Sequence, residues 1–204
     1  MKEGLKPHGV NRCQMAKMVW IEKLFVNRRG ESSFVWIADA LEKSGAAIPP
    51  SPAILDIGAG NGAFAALLYD RYHPSALFAI DVDPAQAKLA EKRLRGKYGK
   101  VPDGLKVEVA DAVRMPYPDG QFDLVTAHLV LHHLGKDLAA GVSEVFRVLK
   151  PGGIFLYVEG PYRKQAFKAV KEAGFTPLYR SGGHREAVIS AKTAPGSQVS
   201  QEPS

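Results

Sequence analysis

The stretch ILDIGAGNGAF, residues 54–64, is the most informative part of this chain. An apolar run ends there in three glycines that alternate with small residues. Glycine has no Cβ atom, so its backbone can turn sharply and a ligand can approach it closely. The stretch therefore predicts a buried strand that turns into a helix, with Gly58, Gly60 and Gly62 beside a ligand.

The flanking sequence alternates between short apolar runs and helical patterns. Strands are predicted at 53–57, 76–82, 105–111, 122–128 and 153–159, and helices at 62–72, 84–94, 137–150 and 163–175. The motif PGG, at 151–153, is predicted to end the third of these helices. Such alternation is typical of a parallel sheet with helices on both faces.

The last two predicted strands, 176–180 and 185–192, are joined by the short turn SGGH. Four residues are too few for a crossover helix, so these strands are predicted to be antiparallel. The expected fold is therefore α/β, a Rossmann-like doubly wound sheet that is mostly parallel, with an antiparallel C-terminal strand pair.

Three segments are expected along the chain: a helical extension at 1–45, the main domain at 46–192 and a disordered tail at 193–204. The prolines of AAIPPSP separate the first two segments, because proline cannot continue a helix. The extension contains two amphipathic patterns that would either cover the ligand as a lid or simply pack on the domain. Arg28 and Arg29 beside an apolar stripe also leave peripheral membrane contact open.

Composition limits the classes of function. A single cysteine, Cys13, excludes an intrachain disulfide and a cysteine-only metal site, and no other metal-ligand spacing is seen. No apolar run reaches the length of a transmembrane helix, and the N-terminus lacks a secretory signal, so a cytoplasmic protein is expected. The net charge of +6 is partly concentrated at 88–100. This basic segment is interpreted as the solvated face of a helix, so a nucleic-acid partner is not expected.

Three aspartates lie at or near the ends of the first three predicted strands, where open parallel sheets bind their ligands. Asp56 lies within the first strand, a stretch that dinucleotide-binding fingerprints keep apolar. Asp81 lies about twenty residues after the glycines, the position of a carboxylate that binds ribose hydroxyls. Asp111 could accept a hydrogen bond from an adenine amino group or serve as an ordinary helix cap.

Together these motifs resemble the class I S-adenosylmethionine-dependent methyltransferases. The resemblance runs from LDIGAGNGAFA through AIDVDPAQAKLA and VADAVRMPYPDGQFDLV to EVFRVLKPGGIFLYVE, in the order found in that family. Within it, MPYPDGQFDLV and LVLHHL are most similar to the ubiquinone/menaquinone-type branch, described as methyltransferase 11/25-like. That branch methylates varied small molecules, so the resemblance leaves the acceptor and the oligomeric state open.

The resemblance implies a set of residues that bind S-adenosylmethionine (SAM). Asp81 would bind the ribose, Val82 would contact the adenine, and Asp111 would accept from its amino group with Ala112 offering an amide. The remaining implied contacts, mostly to the methionine and ribose portions, are Asp56, Gly58, Ala59, Gly60, Asn61 and His128.

Catalytic candidates are fewer, because SAM carries the reactive group and a base is needed only if the acceptor must lose a proton. His132, His133 and Glu159 follow the fourth and fifth strands on the ligand side. The two histidines would alternatively be packing elements, and Glu159 a solvated rim residue. The expected function is methyl transfer from SAM to a small or medium-sized acceptor, with a nicotinamide-dependent oxidoreductase or a non-catalytic SAM-binding module as alternatives.

Overall fold

The computed structural model describes residues 37, 40–160 and 162–193. The predicted first helix and most of the second lie outside this range, as does nearly all of the predicted tail. Residues 40–44 are helical and Gly45 follows in a turn with φ +66°, as predicted for the end of the second helix. The division of the chain at residue 45, and the lid, stay predictions.

The predicted alternation of strands and helices is confirmed. The strands are β1 (Ala53–Ile57), β2 (Ala76–Asp81), β3 (Leu105–Val109), β4 (Phe122–His128), β5 (Leu149–Glu159), β6 (Phe175–Arg180) and β7 (Glu186–Lys192). The helices are α1 (Ala63–Tyr72), α2 (Pro84–Tyr98), α3 (Leu138–Val148) and α4 (Arg163–Glu172), and a 3-10 helix covers Leu131–Asp137. The sequence pattern did not indicate the 3-10 helix, and it ended α2 four residues early, at Leu94.

The seven strands form one sheet in the order β3-β2-β1-β4-β5-β7-β6. The first five strands in chain order are mutually parallel, whereas β7 is antiparallel to both β5 and β6. The predicted fold class is therefore confirmed. The antiparallel strand of the sheet is β7, which lies between β5 and β6. The turn between β6 and β7 predicted their antiparallel pairing but not this order of strands.

Neighbouring residues of a strand point to opposite faces of the sheet, which gives the domain two apolar layers. Leu55 belongs to the layer that α3 and α4 cover, and Ile54 to the layer that α1 covers. Ile37, Ala40 and Leu41 are buried in this second layer. The end of the predicted N-terminal extension therefore packs on the core of the domain.

The prediction that PGG ends a helix is wrong. Helix α3 ends at Val148, and 151–153 belong to β5. Phe122 pairs with Leu149 but Leu124 pairs with Ile154, so β5 bulges here and Gly152 takes φ +78°. Glycine tolerates this left-handed conformation, which explains its presence in a bulge as well as at a helix end.

Arg147 fixes the segment between β3 and β4 that carries part of the candidate site. Its guanidinium donates to the backbone oxygens of Met115 and Tyr117, at 3.1 and 2.7 Å, and to the carboxylates of Glu144 and Asp119. Glu144 in turn accepts from the amide of Met115 at 2.8 Å. The MPYPDG part of the sequence is therefore held by one charged network, and its role in this fold is structural.

Candidate functional site

The glycine loop lies between β1 and α1, at the carboxyl edge of the sheet. Gly58, Gly60 and Gly62 all have positive φ, at +65°, +54° and +75°. A Cβ atom on Gly58 would lie 2.2 Å from Cγ2 of Val130, and one on Gly62 would lie 2.8 Å from Cβ of Ala90. Two of the three glycines are therefore required by close protein packing as well as by the turn.

Asp81 connects this loop to the end of β2. One carboxylate oxygen accepts from the amide of Gly60 and the other from the amide of Asp83, each at 2.9 Å. Burial raises the pKa of Asp81 above its ordinary value, while these two amides act in the opposite direction. Each carboxylate oxygen has about two acceptor positions, so each can still accept one ligand hydroxyl.

Asp56, in β1, is a deeply buried carboxyl of the site, with 1% of its surface exposed. One oxygen accepts from the hydroxyl of Thr126 at 2.8 Å, and the other has no protein partner. Burial raises its pKa to about 7; the Thr126 bond lowers it and the charge of Asp81 raises it further. An unpartnered buried carboxyl oxygen is unusual, and it provides an acceptor for a polar ligand group.

This pKa shift predicts how stability changes with pH. A carboxyl whose folded pKa is raised contributes stability below its ordinary pKa of 3.8, and this contribution is lost as the pH rises towards about 7. In the wild type, the free energy of unfolding should fall by roughly 3 kcal/mol between about pH 4 and pH 7, and Asp56→Asn should abolish this decrease. Urea denaturation of both proteins across this range measures it, and parallel pH profiles would contradict it.

Asp111 follows β3 at the same edge of the sheet. One of its carboxylate oxygens accepts from the amide of Val113 at 3.0 Å, and a single bridge to Arg114 closes the turn that contains Ala112. No helix begins at this turn in the described chain, so the helix-cap alternative for Asp111 is wrong. Since the bond from Val113 uses one acceptor position of the carboxylate, the adenine contact stays a prediction beside it.

His128 ends β4, and its ring stacks on Phe64 with centroids 5.4 Å apart. Burial, with a smaller contribution from Arg185, lowers its pKa to about 4, so the ring is neutral near pH 7. The next residue, Leu129, has φ +57°, which is strained for a residue with a side chain. Such strain is common at functional sites and here turns the chain towards the glycine loop.

The catalytic candidates lie together just beyond His128. Glu159 is fully buried and accepts from the His132 amide at 3.3 Å, and its second oxygen lies 2.9 Å from Nδ1 of the His132 ring. The solvated-rim interpretation of Glu159 is therefore wrong. The rings of His132 and His133 lie 3.8 Å apart, and burial, then His132, lowers the pKa of His133 to about 4.

Sequence reasoning missed four residues that shape this site. Val130 packs on the loop, Thr126 donates to Asp56, Phe64 stacks on His128, and the ring of Tyr162 lies parallel to that of His132 at 6.1 Å. No local pattern indicates these contacts, because each of them joins residues that are far apart in the sequence. The remaining predicted positions, Ala59, Asn61 and Val82, lie in or beside the loops that follow β1 and β2.

Residues 55–157 match a protein-family model described as a methyltransferase domain. The chain is 35% identical over 108 residues to a demethylmenaquinone methyltransferase of Deinococcus radiodurans, and 36% identical over 135 residues to a malonyl-[acyl-carrier protein] O-methyltransferase of Geobacter sulfurreducens. These alignments cover 53% and 65% of this chain but 43% and 48% of the relatives. The chain thus spans about half the length of the curated relatives it matches.

Solved structures with the same fold include a SAM dependent methyltransferase from Aquifex aeolicus. The TM-score is 0.66 at 17% identity, and the match covers 77% of this chain and 89% of that chain. This likeness supports the fold. The comparisons give no support to a nicotinamide-dependent oxidoreductase.

The part of the chain that the structure describes has neither a metal-binding cluster nor a membrane-spanning helix. No group of three or more His, Cys, Asp or Glu side chains is placed to hold a metal ion there. Within the same residues, no helix combines the length and the apolar character needed to cross a bilayer.

Proposed function

Because the chain belongs to the methyltransferase domain family, which matches it at 55–157, we propose that it transfers the methyl group of SAM to a small or medium-sized acceptor. The observation that carries this proposal is the carboxylate of Asp81. Two loop amides hold it at the carboxyl edge of the sheet, and both of its oxygens keep an acceptor position for ribose hydroxyls.

The other residues of the site fit the same cofactor. The unpartnered oxygen of Asp56 is an acceptor for a polar or cationic group, and SAM carries an ammonium as well as a sulfonium. His128 is neutral near pH 7, so it adds no positive charge beside a cationic ligand. Val82, Asp111 and Ala112 follow β2 and β3, where the adenine would lie.

The bound cofactor supplies an activated methyl group on a positively charged sulfur. The protein then has to position the acceptor in line with that methyl group and exclude water from it, and proximity of this kind can lower a barrier by about 7–11 kcal/mol. We propose that residues 1–45 complete the acceptor side as a lid. The relatives are named for a demethylmenaquinone and for a malonyl-acyl carrier protein, which are acceptors of different chemistry.

Calorimetric titration tests the cofactor assignment directly. We expect the full chain to bind SAM and S-adenosylhomocysteine, and to show no heat of binding with NAD at the same concentrations. Binding of NAD alone would overturn the proposal. Binding of SAM without methyl transfer to any acceptor would favour the non-catalytic binding module. The cytoplasmic location and the absence of a nucleic-acid partner remain predictions from the sequence.

A further inference from the structure

Glu159 and His132 form a buried pair at the end of β5, beside the glycine loop. Glu159 is fully buried, and both of its oxygens are engaged by His132, one by the backbone amide and one by Nδ1 of the ring. Val130, two residues before His132, is the side chain that packs against Gly58. The pair is therefore held close to the loop that is proposed to bind SAM.

The contact with Glu159 determines which ring nitrogen of His132 carries the proton. A carboxylate only accepts hydrogen bonds, so Nδ1, at 2.9 Å, must donate. In the neutral ring, Nε2 then has a free lone pair. Nε2 makes no hydrogen bond within the described residues, and 24% of the His132 side chain is exposed, so a ligand can approach the ring.

A second carboxylate lies near the pair and has its own counterion. Glu159 lies directly opposite Glu186 across β5 and β7, and Arg180 pairs with Glu186 through two hydrogen bonds of 2.9 Å. This arrangement leaves His132 as the partner of Glu159. A proton accepted at Nε2 would place the resulting imidazolium 2.9 Å from the carboxylate of Glu159.

The other groups that face the pair add little positive charge. Burial, with a contribution from His132, keeps His133 neutral near pH 7, and the ring of Tyr162 lies parallel to that of His132. Burial, then the charge of Glu186, raises the pKa of Tyr157, so its hydroxyl also stays neutral. Arg185 is a further cation in this region, and its charge contributes to the lowered pKa of His128.

We propose that His132 is the general base of the methyl transfer, positioned by Glu159, and that the acceptor is a molecule with a phenolic or enolic hydroxyl. This inference rests on the proposed function. The O–H bond of the acceptor breaks and its proton passes to Nε2 of His132. The electron pair released forms the bond from oxygen, or from the conjugated carbon, to the methyl carbon, and the methyl–sulfur bond breaks with its electron pair left on sulfur.

The strength of the base selects this acceptor class. A phenol has an ordinary pKa of about 10 and an imidazole one of about 6.5, so proton transfer between them is unfavourable by roughly three to four powers of ten. For a hydroxyl as weakly acidic as water, at about 15.7, the same transfer is unfavourable by about nine powers of ten. The exposed ring of Tyr162 beside His132 also offers an aromatic surface to a planar acceptor.

The first test needs no turnover. In the complex with S-adenosylhomocysteine, 4-nitrophenol reports proton transfer, because its absorption spectrum distinguishes phenol from phenolate. We expect a larger phenolate fraction on the wild type than on His132→Gln, in which the glutamine amide can still donate to Glu159. His73→Asn, at the opposite edge of the sheet, is the matched control. Equal phenolate fractions on wild type and His132→Gln, or no binding of the phenol, would overturn the proposal.

The second test measures turnover with 1,4-dihydroxynaphthalene, and with benzylamine as an acceptor that has no hydroxyl. General-base catalysis contributes about 10²–10⁴-fold, so we expect a loss of this size in kcat for His132→Gln with unchanged affinity for S-adenosylhomocysteine. Methylation of the amine but not of the phenol would overturn the acceptor class and leave the proposed function standing. Failure of the wild type to bind S-adenosylhomocysteine would instead overturn the proposed function itself. A loss in His133→Gln without one in His132→Gln would overturn the assignment of the base.

The third test examines the positioning role of Glu159. Nitrogen-15 spectra of the histidine rings distinguish the two neutral tautomers, and the wild type should show His132 protonated at Nδ1. Glu159→Gln should give a mixture of tautomers and change the acidic limb of the kcat/KM pH profile. A wild-type ring protonated at Nε2 would contradict the proposal even if every variant failed to fold.

Discussion

Replacing Gly58 with alanine is expected to lower the free energy of unfolding by about 2–5 kcal/mol. Two effects add at this position. The backbone has φ +65°, which is unfavourable for a residue with a Cβ atom, and the new atom would lie 2.2 Å from Cγ2 and 2.8 Å from Cβ of Val130. Rotation of the valine side chain cannot relieve the second contact, because Cβ does not move when χ1 rotates.

Gly45 provides a matched control for Gly58→Ala. Its φ is +66°, but an added Cβ atom would meet nothing within 4 Å. Gly45→Ala should therefore show the backbone effect alone, about 1–2 kcal/mol. Urea denaturation of both variants measures the difference, and Val130→Ala should make the Gly58 substitution less damaging. Equal losses at the two glycines would show that the Val130 contact is not tight.

Replacing Asp81 with alanine is expected to weaken the binding of SAM by about ten- to a hundredfold. Hydrogen bonds to a charged group contribute about 1.5–3 kcal/mol, which corresponds to this range of affinity. The substitution also leaves the amide of Gly60 without its acceptor, which would loosen the glycine loop. Both effects weaken binding of the same ligand, so we expect a loss in the upper part of this range.

Asp83→Asn is the matched control for the Asp81 prediction. Asp83 caps α2 by accepting from the amide of Ala85, and asparagine can make the same bond. The control removes a negative charge two residues from Asp81 and leaves the cap in place. Calorimetric titration should show unchanged affinity for Asp83→Asn and reduced affinity for Asp81→Ala. Similar affinities of the two variants would contradict a direct contact between Asp81 and the ribose.

The alternation of strands and helices and the position of the glycine loop could be predicted from the amino-acid sequence alone. These features depend on local periodicity and on the conformations that glycine and proline allow, so a short window contains the information. It also placed acidic residues at the carboxyl edge, because the end of each parallel strand can be counted along the chain. Asp56, Asp81 and Asp111 were found in this way, and the structure places all three at or just beyond the ends of neighbouring strands.

The contacts that these residues make could be learned only from the folded structure. The insertion of β7 between β5 and β6 brings Glu186 opposite Glu159, and the turn after β4 brings His132 to the same carboxylate. Val130, just after β4, likewise packs against Gly58, just after β1, although the two residues are far apart in the sequence. Such contacts depend on the packing of whole elements. Glu159 is buried only once those elements are assembled, and this burial makes it a hydrogen-bond partner of His132 instead of a solvated rim residue.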